Sequence, residues 1–201
     1  MTKKELKIIN HLSKDEVLGD VIKQLSLPKL NVSSNFFHDL MSCIIEQQIH
    51  YRSTKKIFER VLNNAKIEDL TIQNFHKLEE SNFKGATLSI KKYETIQSVL
   101  DLFSDEETEW NSLKNEEIHR KLGVINGVGI KTIDSLLIYS LGREDVFIPD
   151  DYHIEKIMAS LYKLNPSFNL KAQINSITQD FSPYKSYAFL LFLKWKNKKT
   201  N

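Results

Sequence analysis

Cysteine is almost missing: Cys43 is the single example in 201 residues. A disulfide framework, a zinc ribbon and a cysteine-held iron–sulfur cluster are therefore excluded. Glycine and proline number only six and four, which removes collagen-like and low-complexity readings. No apolar run approaches the ~18 residues of a membrane span. The start, Met1-Thr2-Lys3-Lys4-Glu5, lacks the apolar segment of a secretory signal, so a soluble protein of a bacterial-type cytosol or nucleoid is expected. An excess of one charge is also lacking. Lys and Arg total 28 against 26 Asp and Glu, a net charge of +2, so any basic surface must come from arrangement. What remains is 41% hydrophobic and 27% charged, an ordinary globular composition long enough for one large domain or two small ones.

The apolar residues follow the helical period. Phe36, Phe37, Leu40, Met41, Ile44 and Ile45 share one face, as do Ile57, Phe58, Val61 and Leu62. Ile133, Leu136 and Leu137 repeat the pattern, and so do Ile154, Ile157, Met158, Leu161 and Tyr162. The stretch from Tyr184 to Trp195 is apolar nearly all round, as a central buried helix would be. No alternating strand of five or more residues stands out, although Asp145-Val146-Phe147-Ile148 suits a short extended link. Ser33-Ser34-Asn35 offers a cap for the helix at Phe36. With the glycine, Asn-Asn and Asn-Pro breaks, the pattern predicts an all-α chain of roughly nine or ten helices.

The most informative segment is Leu122-Gly123-Val124-Ile125-Asn126-Gly127-Val128-Gly129-Ile130-Lys131-Thr132. One helix arrives through Ile118 and Leu122, and another leaves through Ile133, Leu136 and Leu137. Glycine permits positive φ and lets backbone N–H groups approach an anion with no Cβ in the way. The departing helix adds first-turn donors and a positive dipole end. Together these make a phosphate site that reads no base sequence, with Val128 as the buried plug between the helices. The plain alternative is a helix–turn–helix joint with a glycine cap. The spacing fits neither a Walker loop nor a Rossmann turn.

Downstream comes Asp145-Val146-Phe147-Ile148-Pro149-Asp150-Asp151-Tyr152-His153. Pro149 biases Ile148 toward extended backbone, so Asp150 or Asp151 starts a helix, where a carboxylate accepts backbone N–H bonds. A plain helix cap is one reading. The other needs the hairpin as well: a carboxylate beside a flipped nucleotide stabilises positive charge on the deoxyribose as the base leaves, and orients water at the anomeric carbon.

The hairpin string, followed by a helix and Pro-Asp-Asp-Tyr, resembles the helix-hairpin-helix (HhH-GPD) DNA glycosylase superfamily. The wording Asp-Val-Phe-Ile-Pro-Asp-Asp-Tyr is most similar to its DNA-3-methyladenine glycosylase II branch. The resemblance covers roughly Asn35 to Trp195. It implies that Asp151 is catalytic with Asp150 as its structural neighbour, and that Gly127, Val128, Gly129 and Thr132 contact DNA. It further implies that Gln48, in Ile44-Ile45-Glu46-Gln47-Gln48-Ile49, fills the gap left by the flipped base. Tyr152 fits the base pocket. Gly85 to Lys92 resembles the family's glycine turn, and Tyr184-Lys185-Ser186-Tyr187-Ala188 resembles the stretch before the branch's last helix.

The chain also departs from that branch. Residues before Asn35 are expected to supply one or two helices, not the β domain that branch often carries. Lys131 stands where bifunctional members such as endonuclease III carry a Schiff-base lysine, so attack on the anomeric carbon followed by β-elimination is open; a phosphate-binding or solvent-facing lysine is the alternative. Ser135 and Leu193 stand where pocket aromatics would be expected. No histidine pair has zinc-ligand spacing, although His50 and His153 neighbour proposed sites. Lys55 and Lys56 follow the Gln48 turn and either meet phosphates or face solvent. Trp110 and Trp195 suit packing, and Cys43 a buried, inert position.

The resulting expectation is an all-α, two-lobed fold with a cleft for the extruded nucleotide. Residues 35–141 would form one lobe, and 1–34 plus 142–201 the other. The expected activity is hydrolysis of the N-glycosidic bond of a damaged base, an alkylated purine first, by a monomer acting on double-stranded DNA away from membranes. No catalytic metal or redox cofactor is expected; the resemblance implies a monovalent cation, sodium or potassium, on the hairpin carbonyls. The alternatives are a glycosylase with lyase activity through Lys131 and a non-catalytic binder of lesioned or bent DNA.

Overall fold

The computed structural model describes residues 1–47, 54–105 and 108–199. Among these, eleven α-helices and one 3-10 turn form the regular structure. Two of the helices, α2 (Glu16–Ile22) and α5 (His76–Glu80), are seven and five residues long. They are too short for a period of 3.6 to register, which is why periodicity alone reads fewer helices.

The chain divides into two compact units, Val32–Leu136 and the joined segments Met1–Asn31 and Leu137–Asn201. The first unit holds α3 (Phe36–Glu46), α4 (Thr54–Ala65), α5, α6 (Ile90–Asp105) and α7 (Asn115–Gly123), with most of α8 (Ile130–Tyr139). Asn35 starts α3: its Oδ1 accepts from the His38 N–H at 2.9 Å, and its Nδ2 donates to the Leu70 carbonyl at 2.9 Å. Leu40, Met41, Ile44 and Ile45 of α3 are fully enclosed, and α3 packs on α4 and α6. Trp110 packs on both Phe36 and Phe103, at ring centroid distances of 4.8 and 5.1 Å, so it is a packing residue. Cys43 lies on α3, where desolvation, then Asp39 and Glu46, push its thiol up to about 12; such a group is a poor nucleophile near neutral pH.

The second unit holds α1 (Lys3–Leu12), α2, α9 (Tyr152–Leu161), α10 (Leu170–Thr178) and α11 (Lys185–Lys199). α11 supplies Ala188, Phe189, Leu191 and Phe192 to the core and packs on α2 and α9. This is the central helix its all-round apolar sequence predicts. Asp15 caps α2 through the Leu18 N–H at 2.7 Å and also accepts from the Tyr162 hydroxyl at 2.8 Å. Burial, then this carboxylate, pushes the Tyr162 phenol well above its usual range.

The link before α9 has no regular structure and is pinned from α11. The fully buried Ser186 hydroxyl accepts from the Val146 N–H at 3.0 Å and donates to the Val146 carbonyl at 2.9 Å. The Ser186 N–H donates to the Glu144 carbonyl at 2.9 Å. One serine thus satisfies both backbone groups of Val146 and sets where Pro149-Asp150-Asp151 emerges. Ser186→Ala strands both groups and is expected to lower unfolding free energy by about 2 kcal/mol, read from urea denaturation; an unchanged midpoint would show that water replaces the hydroxyl.

Candidate functional site

The hairpin connects α7 to α8. Ile118 and Leu122 of α7, Ile125 and Val128 of the turn, and Ile133 and Leu136 of α8 are buried. Val128 is the plug that its position between two glycines predicts. Its N–H donates to the Ile125 carbonyl at 3.1 Å, so its side chain and its amide both serve the turn. Across the hairpin His119 Nε2 lies 3.0 Å from Asp134 Oδ1, stapling α7 to α8.

The two glycines do different work. Gly127 has φ +96°, and a Cβ there would lie 2.3 Å from Thr95 Oγ1. Thr95 is buried in α6, with its hydroxyl 2.8 Å from the Asn126 carbonyl and 2.9 Å from that of Lys91. Gly127 therefore serves conformation and close packing. Gly129 has nothing within 4 Å of where a Cβ would stand, and its carbonyl accepts from the N–H groups of Thr132 and Ile133 at 2.9 and 3.1 Å. It opens α8 with bare backbone toward solvent, at the helix end whose first amides have no acceptor within the helix. The turn, α8's start and the open glycine are an arrangement that is chemically able to receive an anion.

Gln47 and Lys92 also hold this turn. Gln47, which ends α3, donates through Nε2 to the Gly127 carbonyl at 3.1 Å and to Thr132 Oγ1 at 3.2 Å. Lys92 of α6 donates to the carbonyls of Ile45 and Gln47 at 2.8 and 2.7 Å. Desolvation lowers the pKa of Lys92. Both fall in strings that resemble the family, but nothing local signals their contacts, which join positions 45–85 apart in sequence. Lys131 is exposed on the first turn of α8, with its carbonyl accepting from the Ser135 hydroxyl at 2.8 Å. Gln48 and His50 lie outside the described residues, as do the side chains of Lys55 and Lys56.

The second unit carries the acids. Asp151 is the N-cap of α9, with Oδ1 accepting from the N–H groups of His153 and Ile154 at 2.9 and 3.2 Å. The residue is partly exposed, and its carboxylate is fixed by the start of the helix. Asp150 turns elsewhere: its Oδ2 meets Lys171 Nζ of α10 at 3.0 Å. The neighbouring acids are thus separated by partner, one at a helix start and one in an exposed ion pair. Tyr152 is 59% exposed, edge-on to the His153 ring at 5.3 Å and bonded to Lys156. His153 also meets Lys196 Nζ at 3.0 Å. Beyond it, α9 and α11 line a cavity of about 240 Å³ that includes Ile157, Leu161 and Trp195. Leu193 is half-buried on α11.

Residues 41–183 match the family described as HhH-GPD superfamily base excision DNA repair protein. The DNA-3-methyladenine glycosylase 1 of Schizosaccharomyces pombe is 26% identical over 172 residues, which cover 81% of this chain and 72% of that protein. A solved structure of the S. pombe 3-methyladenine DNA glycosylase in complex with abasic DNA is similar at a TM-score of 0.73 and 23% identity, covering 96% of this chain and 97% of that one. The DNA-3-methyladenine glycosidase of Bacillus halodurans gives a TM-score of 0.76 at 22% identity, over 98% and 91% of the two chains.

The two glycines separate by experiment. Gly127→Ala is expected to lower stability by about 2 kcal/mol or more, from the φ strain and the Thr95 clash. Gly129→Ala should cost less than about 1 kcal/mol. Thermal melts of both variants test this, and equal losses would contradict the division of labour.

Proposed function

The chain belongs to the HhH-GPD superfamily of base excision DNA repair proteins, and from that membership we propose that it is a DNA N-glycosylase that flips out a damaged base and hydrolyses its N-glycosidic bond. The observation behind the assignment of roles is Asp151, a partly exposed residue whose carboxylate is fixed at the start of α9. Similar proteins named as DNA-3-methyladenine glycosylases support an alkylated purine as the base. Alkylation at a ring nitrogen makes such a purine cationic, so it departs as a neutral base with the bonding electron pair. The positive charge moves to the deoxyribose, where the Asp151 carboxylate stabilises it and directs a water onto the anomeric carbon. The water's proton then passes to the carboxylate or to solvent.

In this reading the bare backbone at Gly129 and the first turn of α8 take a DNA phosphate, with Gly127, Val128 and Thr132 shaping the turn. Phosphate contacts position the duplex without reading sequence, and base choice falls to the pocket that includes Tyr152. Gln48 fills the gap left by the flipped base. A sodium or potassium ion on the hairpin carbonyls belongs to the same proposal. Carbonyl oxygens are suitably hard ligands; those of Ile125, Asn126 and Gly127 each accept a protein hydrogen bond and keep a second lone pair. Among the described residues no helix is long and apolar enough to cross a membrane. Action as a monomer on double-stranded DNA in the cytosol or nucleoid completes the proposal.

A panel of duplexes, each with one lesion, tests the reading directly. Free 3-methyladenine or 7-methylguanine should be released, with strand breaks appearing only after alkaline workup. Release of no base from any duplex would leave a DNA-binding protein without catalysis. Borohydride trapping reads Lys131 separately: hydrolysis predicts no covalent adduct. An adduct lost in Lys131→Ala would assign the lyase route to that amine.

A further inference from the structure

The end of α3 and the hairpin turn are held by one polar chain that begins at Lys92. A helix C-terminus leaves carbonyls without intrahelical donors, and a left-handed glycine commonly satisfies them. α3 has no such cap: Gln47 follows Glu46 at φ −54° and ψ 141°. In its place the half-buried Lys92 ammonium reaches in from α6 to the carbonyls of Ile45 and Gln47. A cation there also meets the negative end of the helix dipole. The Gln47 side chain then reaches the Gly127 carbonyl and the Thr132 hydroxyl. One turn beyond Lys92, Thr95 holds the Asn126 carbonyl. Helix α6 therefore supports the turn twice, directly through Thr95 and indirectly through Lys92, α3 and Gln47.

We propose that Lys92 and Gln47 are positioning residues for DNA binding: Lys92 fixes the end of α3 so that Gln47 holds the hairpin turn, and with it the amides that open α8, in the geometry that grips a phosphate. This rests on the hairpin being the phosphate site described above. Lys92 itself does not meet the DNA. Its ammonium is spent on two carbonyls, and its effect reaches the phosphate through Gln47.

The test is fluorescence anisotropy of a labelled duplex carrying a tetrahydrofuran abasic analogue, over a range of salt. Lys92→Met is expected to weaken binding about tenfold, the size of one lost charge-assisted hydrogen bond. The slope of log K against log salt should stay as in the unaltered protein. Lys92→Arg, which keeps the charge and the donors, should stay within about threefold of the starting affinity. Gln47→Ala should match Lys92→Met, and the double variant should be no weaker than either alone, because both cut one chain. A slope smaller by about 0.9 would make Lys92 a direct phosphate ligand and overturn the proposal. Unchanged affinity in a folded Lys92→Met protein, or additive losses in the double variant, would overturn it as well. If Lys92→Met does not fold, Gln47→Ala and Lys92→Arg decide by the same readouts. Failure of the unaltered protein to bind any duplex would sink the phosphate-site reading together with this one. Normal binding with unaffected variants would sink this inference alone.

Discussion

The contact between Gly127 and Thr95 sets the geometry of the hairpin. The turn must bring two helices together around Val128 and still leave backbone amides pointing outward at the start of α8. It does so by pressing the Cα of residue 127 onto a buried threonine, at a φ that side chains rarely adopt. The same threonine hydroxyl reaches the Asn126 carbonyl, while Gln47 holds the next carbonyl and Thr132. Polar partners thus surround the turn on its inner side and leave Gly129 open on the outer. The phosphate site proposed for this turn would use fixed dipoles, which need no reorganisation when an anion arrives.

A comparable economy governs the acids. Asp150 and Asp151 are adjacent in sequence, yet one faces Lys171 and the other receives two amides of α9. Their separation follows from where the link ends, and the link is fixed by Ser186, a residue of the last helix. The Asp151 carboxylate is therefore positioned by the helix it caps and by a serine 35 positions later in the chain. Both supports are hydrogen bonds to backbone groups.

Much of this was legible in residues close together in sequence. The periodic apolar faces locate the long helices, Asn35 and Asp151 announce their helix starts, and the Gly-Val-Gly string locates the turn and its plug. The short helices α2 and α5 escape a periodicity reading because one or two turns cannot display a stripe. The supports of the site escape it for another reason. Lys92, Thr95 and Ser186 act on backbone groups far along the chain, and a lysine or serine on a helix looks the same in sequence whether it faces water or caps another element. Gly127 and Gly129 look equivalent in the string and differ only in what surrounds them. Lys131, which the sequence singles out as a candidate nucleophile, is exposed on the helix start, the setting of a phosphate-facing lysine as much as of a reactive one.

In the proposed reaction the Asp151 carboxylate, and not merely its capping bonds, drives base release. Asparagine at 151 keeps an oxygen able to cap α9 while removing the charge. Single-turnover excision from a methylated duplex, at enzyme concentrations well above the duplex Kd, is the direct measurement. Asp151→Asn should release base at least about a hundredfold more slowly with its melting temperature nearly unchanged. Release at the unaltered rate would show that the acid only caps its helix and takes no part in base release.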